Sequence, residues 1–257
     1  MYASSSGPSA EDQPRRAAIG PDSRGLWLMG NDVDLARRLA GTGFDWLALD
    51  AQHGAIDRSA LVDLGRALGD VGANFVVRVP GVDHVWIGAS LDAGAAGVVI
   101  PSVASLEDAR AAVRAAFYPP LGERSWGPLT PMWDGYAPDA ERANAQVQCA
   151  VMIETAGALE AVEEIAAVDG VNLLFLGPVD LSLALGVPMA QMLADTSPSG
   201  PVPRILAAAR RHGTDVAAFA GHPDHVPALR ALGITRVAVA TDIALVALGA
   251  EAVLDLT

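Results

Sequence analysis

Lysine is absent from this chain of 257 residues, and all 17 of its basic residues are arginine. A lysine amine is required by enzymes that form a Schiff base, by pyridoxal enzymes that hold an internal aldimine, and by nucleotide enzymes with a P-loop. The sequence therefore excludes all three classes of site. We expect neither a Schiff-base lysine nor a nucleotide cofactor.

Cysteine, basic charge and long apolar runs are also scarce. The one cysteine, Cys149, rules out an internal disulfide, and its apolar neighbours predict a buried, inert thiol. The net charge of -13 and the lack of a basic stripe argue against nucleic-acid binding. No run approaches the roughly 18 apolar residues that span a bilayer. Residues 1–24 are polar, without the apolar segment of a signal peptide, so we expect a disordered tail on a cytoplasmic protein.

From residue 25 onward, short apolar runs alternate with longer amphipathic stretches. The runs are nearly continuous in hydrophobicity, as expected for parallel strands that are buried on both faces. Eight strand–helix pairs in one domain of about 250 residues predict a single (β/α)₈ TIM barrel over residues 25–257. The predicted strands are residues 25–29, 46–50, 75–79, 97–101, 150–154, 173–176, 216–219 and 236–240, and the predicted helices are 31–41, 59–71, 85–93, 105–116, 156–167, 203–212, 225–232 and 241–256.

Charged residues stand at the ends of four predicted strands, where a barrel carries its chemistry. Asp50 and His53 follow the second strand, Arg78 lies in the third, Glu154 ends the fifth and Asp180 follows the sixth. An arginine inside an apolar strand is costly to bury unless it is paired. Arg78 alone could form a structural ion pair with Asp50 or Glu154, but four strand ends that converge on one face favour a functional site.

Glu154 and Asp180 come from neighbouring strands at the same end of the barrel. Two adjacent carboxylates repel each other unless one is protonated or a cation lies between them, and hard oxygen ligands suit Mg²⁺ or Mn²⁺. The alternative for Asp180 is a helix N-cap. His53 follows Asp50 closely enough for a carboxylate to orient an imidazole as a general base, although a histidine before glycine can also be a plain loop residue.

These features, in this order, resemble the HpcH/HpaI aldolase family of metal-dependent pyruvate aldolases. The similarity covers almost everything after the tail, and the ordered set is far more specific than any one motif. The matching stretches are Gly25-Leu26-Trp27-Leu28, Gly43-Phe44-Asp45-Trp46, Asp50 with His53-Gly54, Val77-Arg78-Val79-Pro80, Ile100-Pro101, Tyr118-Pro119-Pro120-Leu121-Gly122-Glu123-Arg124, Ile153-Glu154-Thr155 and Gly177-Pro178-Val179-Asp180-Leu181-Ser182.

The resemblance implies a pyruvate-type TIM barrel that cleaves or forms 4-hydroxy-2-oxo acids from pyruvate and an aldehyde. Glu154 and Asp180 would bind the divalent metal (Mg²⁺ or Mn²⁺, with Co²⁺ as a further option), and Arg78 would stabilise the enolate oxygen. His53, together with Asp50, would move the proton. The remaining substrate contacts that it implies are Gln52, Gly177, Pro178 and Val179.

The family also implies a homo-oligomer, a hexamer built as a trimer of dimers, and residues 244–256 are apolar enough for a last helix exchanged between subunits. The segment 118–148 is too long for a simple connection. Its Trp126, Trp133 and Tyr136 are candidates to line the aldehyde pocket, and interface packing explains them equally well.

Two positions depart from the family pattern close to the expected metal. Met152 stands where many members have glutamine, and Gln52 stands where many have glutamate. Two other functions therefore stay open. One is decarboxylation of oxaloacetate with capture of the enolate by another electrophile, as in macrophomate synthase and citrate-forming relatives. The other is a non-catalytic metabolite-binding barrel, for which Met152 is the only support.

Overall fold

A computed structural model describes residues 18–133, 135 and 137–256 of the chain. Eight parallel strands follow one another around a closed barrel, and β1 pairs with β8 to close it. The predicted barrel is confirmed, and every strand end falls within two residues of its predicted place. The strands are β1 (Arg24–Leu28), β2 (Trp46–Asp50), β3 (Phe75–Arg78), β4 (Gly97–Ile100), β5 (Gln148–Ile153), β6 (Leu173–Leu176), β7 (Asp215–Phe219) and β8 (Arg236–Thr241).

The helices surround the barrel, and several begin at a side chain that accepts a backbone N–H, as Asp57 does for Ala60 and Thr241 for Ala244. The predicted helix 156–167 is divided at Ala161 into two short helices. The helices are α1 (Val33–Ala40), α2 (Arg58–Asp70), α3 (His84–Asp92), α4 (Leu106–Ala116), α5 (Ala140–Gln146), α6 (Ala156–Glu160), α7 (Val162–Ala166), α8 (Pro178–Leu185), α9 (Met189–Ala194), α10 (Pro201–His212), α11 (Val226–Ala231) and α12 (Asp242–Leu254).

Residues just before β1 close the amino-terminal mouth of the barrel. Ala18 and Ile19 are buried, the Ile19 N–H donates to Gln148 Oε1 at 2.8 Å, and Asn74 Nδ2 donates to the Ala18 carbonyl at 2.6 Å. The last part of the expected tail is thus packed against the strand ends. Residues 1–17 of that tail lie outside the described residues.

The long segment between α4 and β5 lies at this same amino-terminal end, because it enters from the end of a helix and leaves into the start of a strand. It packs beside the end of α3, where the Leu129 N–H donates to the Asp92 carbonyl at 2.9 Å and Arg124 Nη2 contacts the Asp92 carboxylate at 2.6 Å. Trp126 is 56% exposed. The segment therefore lies away from the carboxyl ends of the strands in its own barrel, and Tyr136 lies outside the described residues.

Cys149 is fully buried in β5, and burial raises the pKa of its thiol to about 12. The prediction of a buried thiol is confirmed, and the raised pKa favours the protonated form, which is less reactive than the thiolate. No helix within the described ranges combines the length and apolar character that a membrane span needs.

Candidate active site

The strand register brings Asp50 and Arg78 together at the carboxyl end of the barrel. Asp50 on β2 lies directly beside Arg78 on β3. Arg78 Nε donates to Asp50 Oδ1 at 3.1 Å, and Arg78 Nη2 makes a second, shorter contact to Oδ2. Asp50 is completely buried and the Arg78 side chain is 11% exposed. Of the two partners considered for Arg78, Asp50 is therefore the one that binds it in a two-pronged ion pair.

The Asp50 carboxylate also accepts three further hydrogen bonds. Trp27 Nε1 donates to Oδ2 at 3.0 Å, and the backbone amides of Gln52 and His53 donate to Oδ1 at 2.9 and 3.1 Å. Burial favours the neutral acid, but the hydrogen bonds and charge of Arg78, with those from Trp27 and His53, outweigh it and lower the pKa of Asp50. With five donors, Asp50 is a positioning residue. It fixes the backbone of His53, where the spacing had suggested a contact with the imidazole.

The Nη1 atom of Arg78 is available to bind a further partner. Its Nε and Nη2 face Asp50, and its Cζ lies 5.2 Å from the centre of the Trp27 ring. Among the described residues, Nη1 donates no hydrogen bond. Because a guanidinium carries two N–H groups on that nitrogen, Arg78 can bind a substrate oxygen without releasing Asp50.

Glu154 is held by an unusual piece of backbone after β4. Its Oε1 accepts the Ser102 N–H at 2.6 Å, and Ser102 has φ 57°, a left-handed conformation that non-glycine residues rarely adopt. Such a conformation costs on the order of 1–3 kcal/mol and tends to occur at functional sites. In this strained conformation the Ser102 N–H points at the buried Glu154 carboxylate.

Gly177 makes room for Glu154 on the neighbouring strand. A Cβ on Gly177 would lie 2.7 Å from Glu154 Oε2 and 3.1 Å from Met152 Cε. Real Cβ atoms essentially never come within 2.7 Å of another heavy atom, so the backbone before α8 passes directly against the Glu154 carboxylate. A larger residue at position 177 would displace Glu154.

The electrostatics of Glu154 connect the four predicted strand ends. Burial raises the pKa of Glu154, the Ser102 amide lowers it, the negative charge of Asp180 raises it, and the positive charges of Arg78 and His53 lower it. The net effect is a raised pKa. Asp180 lies in the first turn of α8, but the N-cap of that helix is Gly177, and Asp180 is exposed. The alternative role of Asp180 as a helix cap therefore does not hold.

A divalent metal fits the pair Glu154 and Asp180. The negative charge of Asp180 makes Glu154 harder to ionise, and a cation between the two carboxylates would remove that cost. In the described part of the chain, no cluster of three or more His, Cys, Asp or Glu residues has the arrangement of a metal site. Two carboxylates suit Mg²⁺, which usually keeps several waters or substrate oxygens as its other ligands.

The loop after β2 carries the two remaining polar candidates. The His53 side chain is exposed, while its backbone is fixed by Asp50. The Oε1 atom of Gln52 is buried and has no hydrogen-bond partner within the described residues. An unpaired buried acceptor costs roughly 1–3 kcal/mol, and a ligand or water that donates to it would remove this cost.

Below these charges the barrel is lined by apolar and aromatic side chains. The Trp27 ring centre lies 5.6 Å from that of Phe175 and 5.0 Å from that of Phe219, and Met152 is buried beside them. Sequence reasoning missed the role of Trp27, although the inward side of β1 could have indicated it. It also missed Ser102, which acts through its backbone and has no signal in the sequence.

A family model and several known proteins match this chain in sequence or in fold. The family model for HpcH/HpaI aldolase/citrate lyase matches residues 23–248. A curated 4-hydroxy-2-oxovalerate aldolase from Novosphingobium aromaticivorans is 43% identical over 170 residues, which are 65% of this chain and 65% of that protein. The match thus spans just under two thirds of that relative's length.

Solved structures are similar over a larger share of the chain. The crystal structure of an HpcH/HpaI aldolase/citrate lyase family protein from Burkholderia cenocepacia J2315 has 30% identity and a TM-score of 0.80, covering 91% of this chain and 93% of the other. The structure of macrophomate synthase has 28% identity and a TM-score of 0.77, covering 91% and 84%.

Proposed function

Because the chain belongs to the HpcH/HpaI aldolase/citrate lyase family, we propose that it is a divalent-metal-dependent lyase acting on 2-oxo acids. In this proposal the enzyme cleaves 4-hydroxy-2-oxo acids to pyruvate and an aldehyde, or forms them by adding the enolate of pyruvate to an aldehyde. The observation that carries it is the Arg78–Asp50 ion pair beside the Glu154 and Asp180 carboxylates, in a chain without lysine. Positive charge at an enolate oxygen must then come from arginine and a cation.

The first turn of α8 and Arg78 would hold the 2-oxo acid. Pro178 has no N–H, whereas the amides of Val179 and Asp180 are among the unpaired donors of a helix start and suit a carboxylate. Arg78 Nη1 would donate to the oxygen at C2. A divalent ion at Glu154 and Asp180, Mg²⁺ or Mn²⁺ with Co²⁺ as a further option, supplies additional positive charge when bound.

The cleavage direction requires a base for the C4 hydroxyl. His53 would take that proton, the C3–C4 bond would break, and its electron pair would form the C2–C3 double bond with negative charge on the C2 oxygen. Arg78 would stabilise this charge while C4 leaves as the carbonyl carbon of the aldehyde. The proton held by His53 would then pass to C3 and give pyruvate. Asp50 stays ionised and holds Arg78 and the His53 backbone in place.

Oxaloacetate decarboxylation is the second candidate, and the likeness to macrophomate synthase supports it. Loss of CO₂ from oxaloacetate gives the same enolate, so Arg78 and the two carboxylates would serve unchanged. Steady consumption of oxaloacetate, with no addition of pyruvate to any aldehyde tested, would favour this activity over the aldolase.

We also propose a homo-oligomer, a hexamer built as a trimer of dimers, in which α12 packs against a neighbouring subunit. Ile243, Val246, Val253 and Leu254 of this helix are all more than 60% exposed. A helix that is apolar on all sides is normally buried. Light scattering should give about six chains per particle for the wild type and fewer for Val246→Glu, while Glu251→Gln should assemble normally. Particles of one chain for the wild type would contradict the proposal.

Deuterium exchange into the methyl group of pyruvate tests the enolate step without knowledge of the aldehyde. The protein is treated with EDTA and followed by NMR before and after Mg²⁺ or Mn²⁺ is restored. We expect exchange only with metal, and a loss of at least a hundredfold in Arg78→Gln but not in the exposed control Arg37→Gln. Metal-independent exchange, or full activity in Arg78→Gln, would contradict the proposed site.

A further inference from the structure

Asp242 is a buried carboxylate that the proposed reaction does not use. It is the first residue of α12, directly after β8, and it is 6% exposed. Its helix is already capped by Thr241, whose Oγ1 accepts the Ala244 N–H at 3.0 Å. The N-cap of α12 is therefore Thr241 and not Asp242.

The Asp242 carboxylate binds the backbone that follows β1. Its oxygens accept the Met29 N–H at 3.1 Å and the Gly30 N–H at 3.0 Å, and Oδ1 also accepts the Ile243 N–H at 2.8 Å. Hydrogen bonds to an ionised acceptor are roughly twice as strong as neutral ones. Asp242 thus fixes the loop after β1 to the start of the last helix.

That loop in turn supports the loop after β2. The Ala55 N–H donates to the Met29 carbonyl at 2.8 Å. Gly54 lies so close that a Cβ there would be 2.8 Å from the Met29 oxygen and would overlap the Asp50 carbonyl oxygen. The segment between Asp50 and Ala55, which includes His53, is therefore held from one side by Asp50 and from the other by Met29.

We infer that Asp242 is a positioning residue for the loop that carries Gln52 and His53. The contacts run from α12 to the loop after β1, and from there to the loop after β2, across three adjacent strands of the barrel. The inference rests on the proposed function for its catalytic meaning. Its structural content, that Asp242 orders the segment 51–56, does not depend on any reaction.

Hydrogen–deuterium exchange of backbone amides tests that structural content directly. In Asp242→Asn an NH₂ group replaces one oxygen and opposes the donors of Met29, Gly30 or Ile243. We expect exchange at residues 51–56 to become at least tenfold faster, while β5 and β6 stay as in the wild type. The matched control is Asp45→Asn, because Asp45 accepts the Arg24 N–H at 2.7 Å at the opposite end of β1.

Two results would overturn the inference. One is unchanged exchange at residues 51–56 in Asp242→Asn, and the other is an equal increase in Asp45→Asn, which would indicate general loosening of β1. Gly54→Ala should also accelerate exchange in this segment, since it disturbs the same contact from the other side. Faster exchange at residues 51–56 in both variants would show that Asp242 and Gly54 act on the same loop.

The kinetic measurement separates a positioning role from a merely structural one. With pyruvate as substrate and methyl deuteration as the readout, kcat of Asp242→Asn should fall about ten- to a hundredfold, as small misplacement of a catalytic group does. The Mg²⁺ titration should stay within about twofold, because Glu154 and Asp180 are untouched, and KM for pyruvate should change less than kcat, because Arg78 still binds the substrate. An unchanged kcat despite a loosened loop would refute positioning. Absence of deuteration in the wild type would instead refute the proposed function, and the amide exchange would still decide the structural claim.

Discussion

Asparagine at position 50 would separate the positioning role of Asp50 from a role in proton transfer. The substitution keeps the shape of the side chain but places an NH₂ group against donors. An NH₂ group in the place of Oδ2 would face two donors, Arg78 Nη2 and Trp27 Nε1. An NH₂ group in the place of Oδ1 would face Arg78 Nε and two backbone amides. Either orientation also leaves the Arg78 charge without its partner. Loss of one partner of a buried ion pair typically costs about 3–5 kcal/mol of unfolding free energy, and we expect Asp50→Asn to fall in this range.

Urea unfolding of Asp50→Asn, Arg78→Gln and the double variant measures the pair itself. Replacing both partners removes both buried charges, so the double variant should lose several kcal/mol less than the sum of the two single losses. The exposed pair Arg37–Asp70, with its atoms 2.8 Å apart, is the matched control and should show a coupling of about 0–1 kcal/mol. Additive losses for Asp50 and Arg78 would refute the account of this ion pair.

The pH dependence of the unfolding free energy is a second test of whether Asp50 is a permanently ionised positioning residue. The pKa of Asp50 is lower in the folded state than in the unfolded state, so its contribution to stability is fully present above the unfolded pKa of about 3.9. That contribution declines as the pH falls from the unfolded pKa toward the lower folded pKa, and it is gone below the folded pKa. The stability gap between wild type and Asp50→Asn should therefore be constant from pH 5 to 8 and close in stronger acid. A limb of the activity profile near neutral pH that disappears in Asp50→Asn would show instead that Asp50 carries a proton.

Three further predictions concern the metal pair and the missing lysine. Met152→Gln should bind Mg²⁺ about tenfold more tightly by calorimetry, because a polar neighbour of a metal ligand typically changes affinity by 10–100-fold, and Met152→Leu should bind like the wild type. Burial and the charge of Asp180 raise the pKa of Glu154, so ionised Glu154 weakens the metal-free fold at high pH. Metal-free Glu154→Gln should accordingly melt higher than the wild type at pH 8, by a margin that shrinks as the pH falls, and Mg²⁺ should no longer raise its Tm. Borohydride with pyruvate should leave the activity unchanged, since no lysine can form an imine; time-dependent inactivation would contradict an enolate mechanism without a Schiff base.

The sequence was sufficient for the barrel because its strands are short apolar runs with sharp ends. Residues 46–50 and 173–176, for example, were predicted with the bounds that β2 and β6 have. The helices were predicted less well than the strands. The predicted helix 156–167 is interrupted at Ala161, where neither proline nor glycine marks the break.

The sequence predicted which residues lie at the candidate site, but it did not predict which of them contact each other. The spacing of three residues suggested that Asp50 would hold the His53 ring, whereas the parallel register places Asp50 beside Arg78. Contacts through backbone amides, such as that of Ser102 with Glu154, depend on loop geometry that a sequence pattern does not encode. The segment 118–148 was correctly seen as unusual, but its place between a helix end and a strand start puts it at the opposite end of the barrel.

The contacts at the site divide its charges into a fixed set and a titrating set. Arginine stays protonated at any pH at which proteins are folded, and the pKa of Asp50 is lowered, so the Arg78–Asp50 pair keeps the same charge throughout the working range. The pKa of Glu154 is raised, and its protonation would remove a ligand of the proposed metal. Loss of activity in acid should therefore follow the metal pair. It follows that saturating Mg²⁺ should shift the acid limb of the activity profile to lower pH, because metal and proton compete for Glu154. An acid limb that does not change with the metal concentration would contradict the assignment of this limb to Glu154.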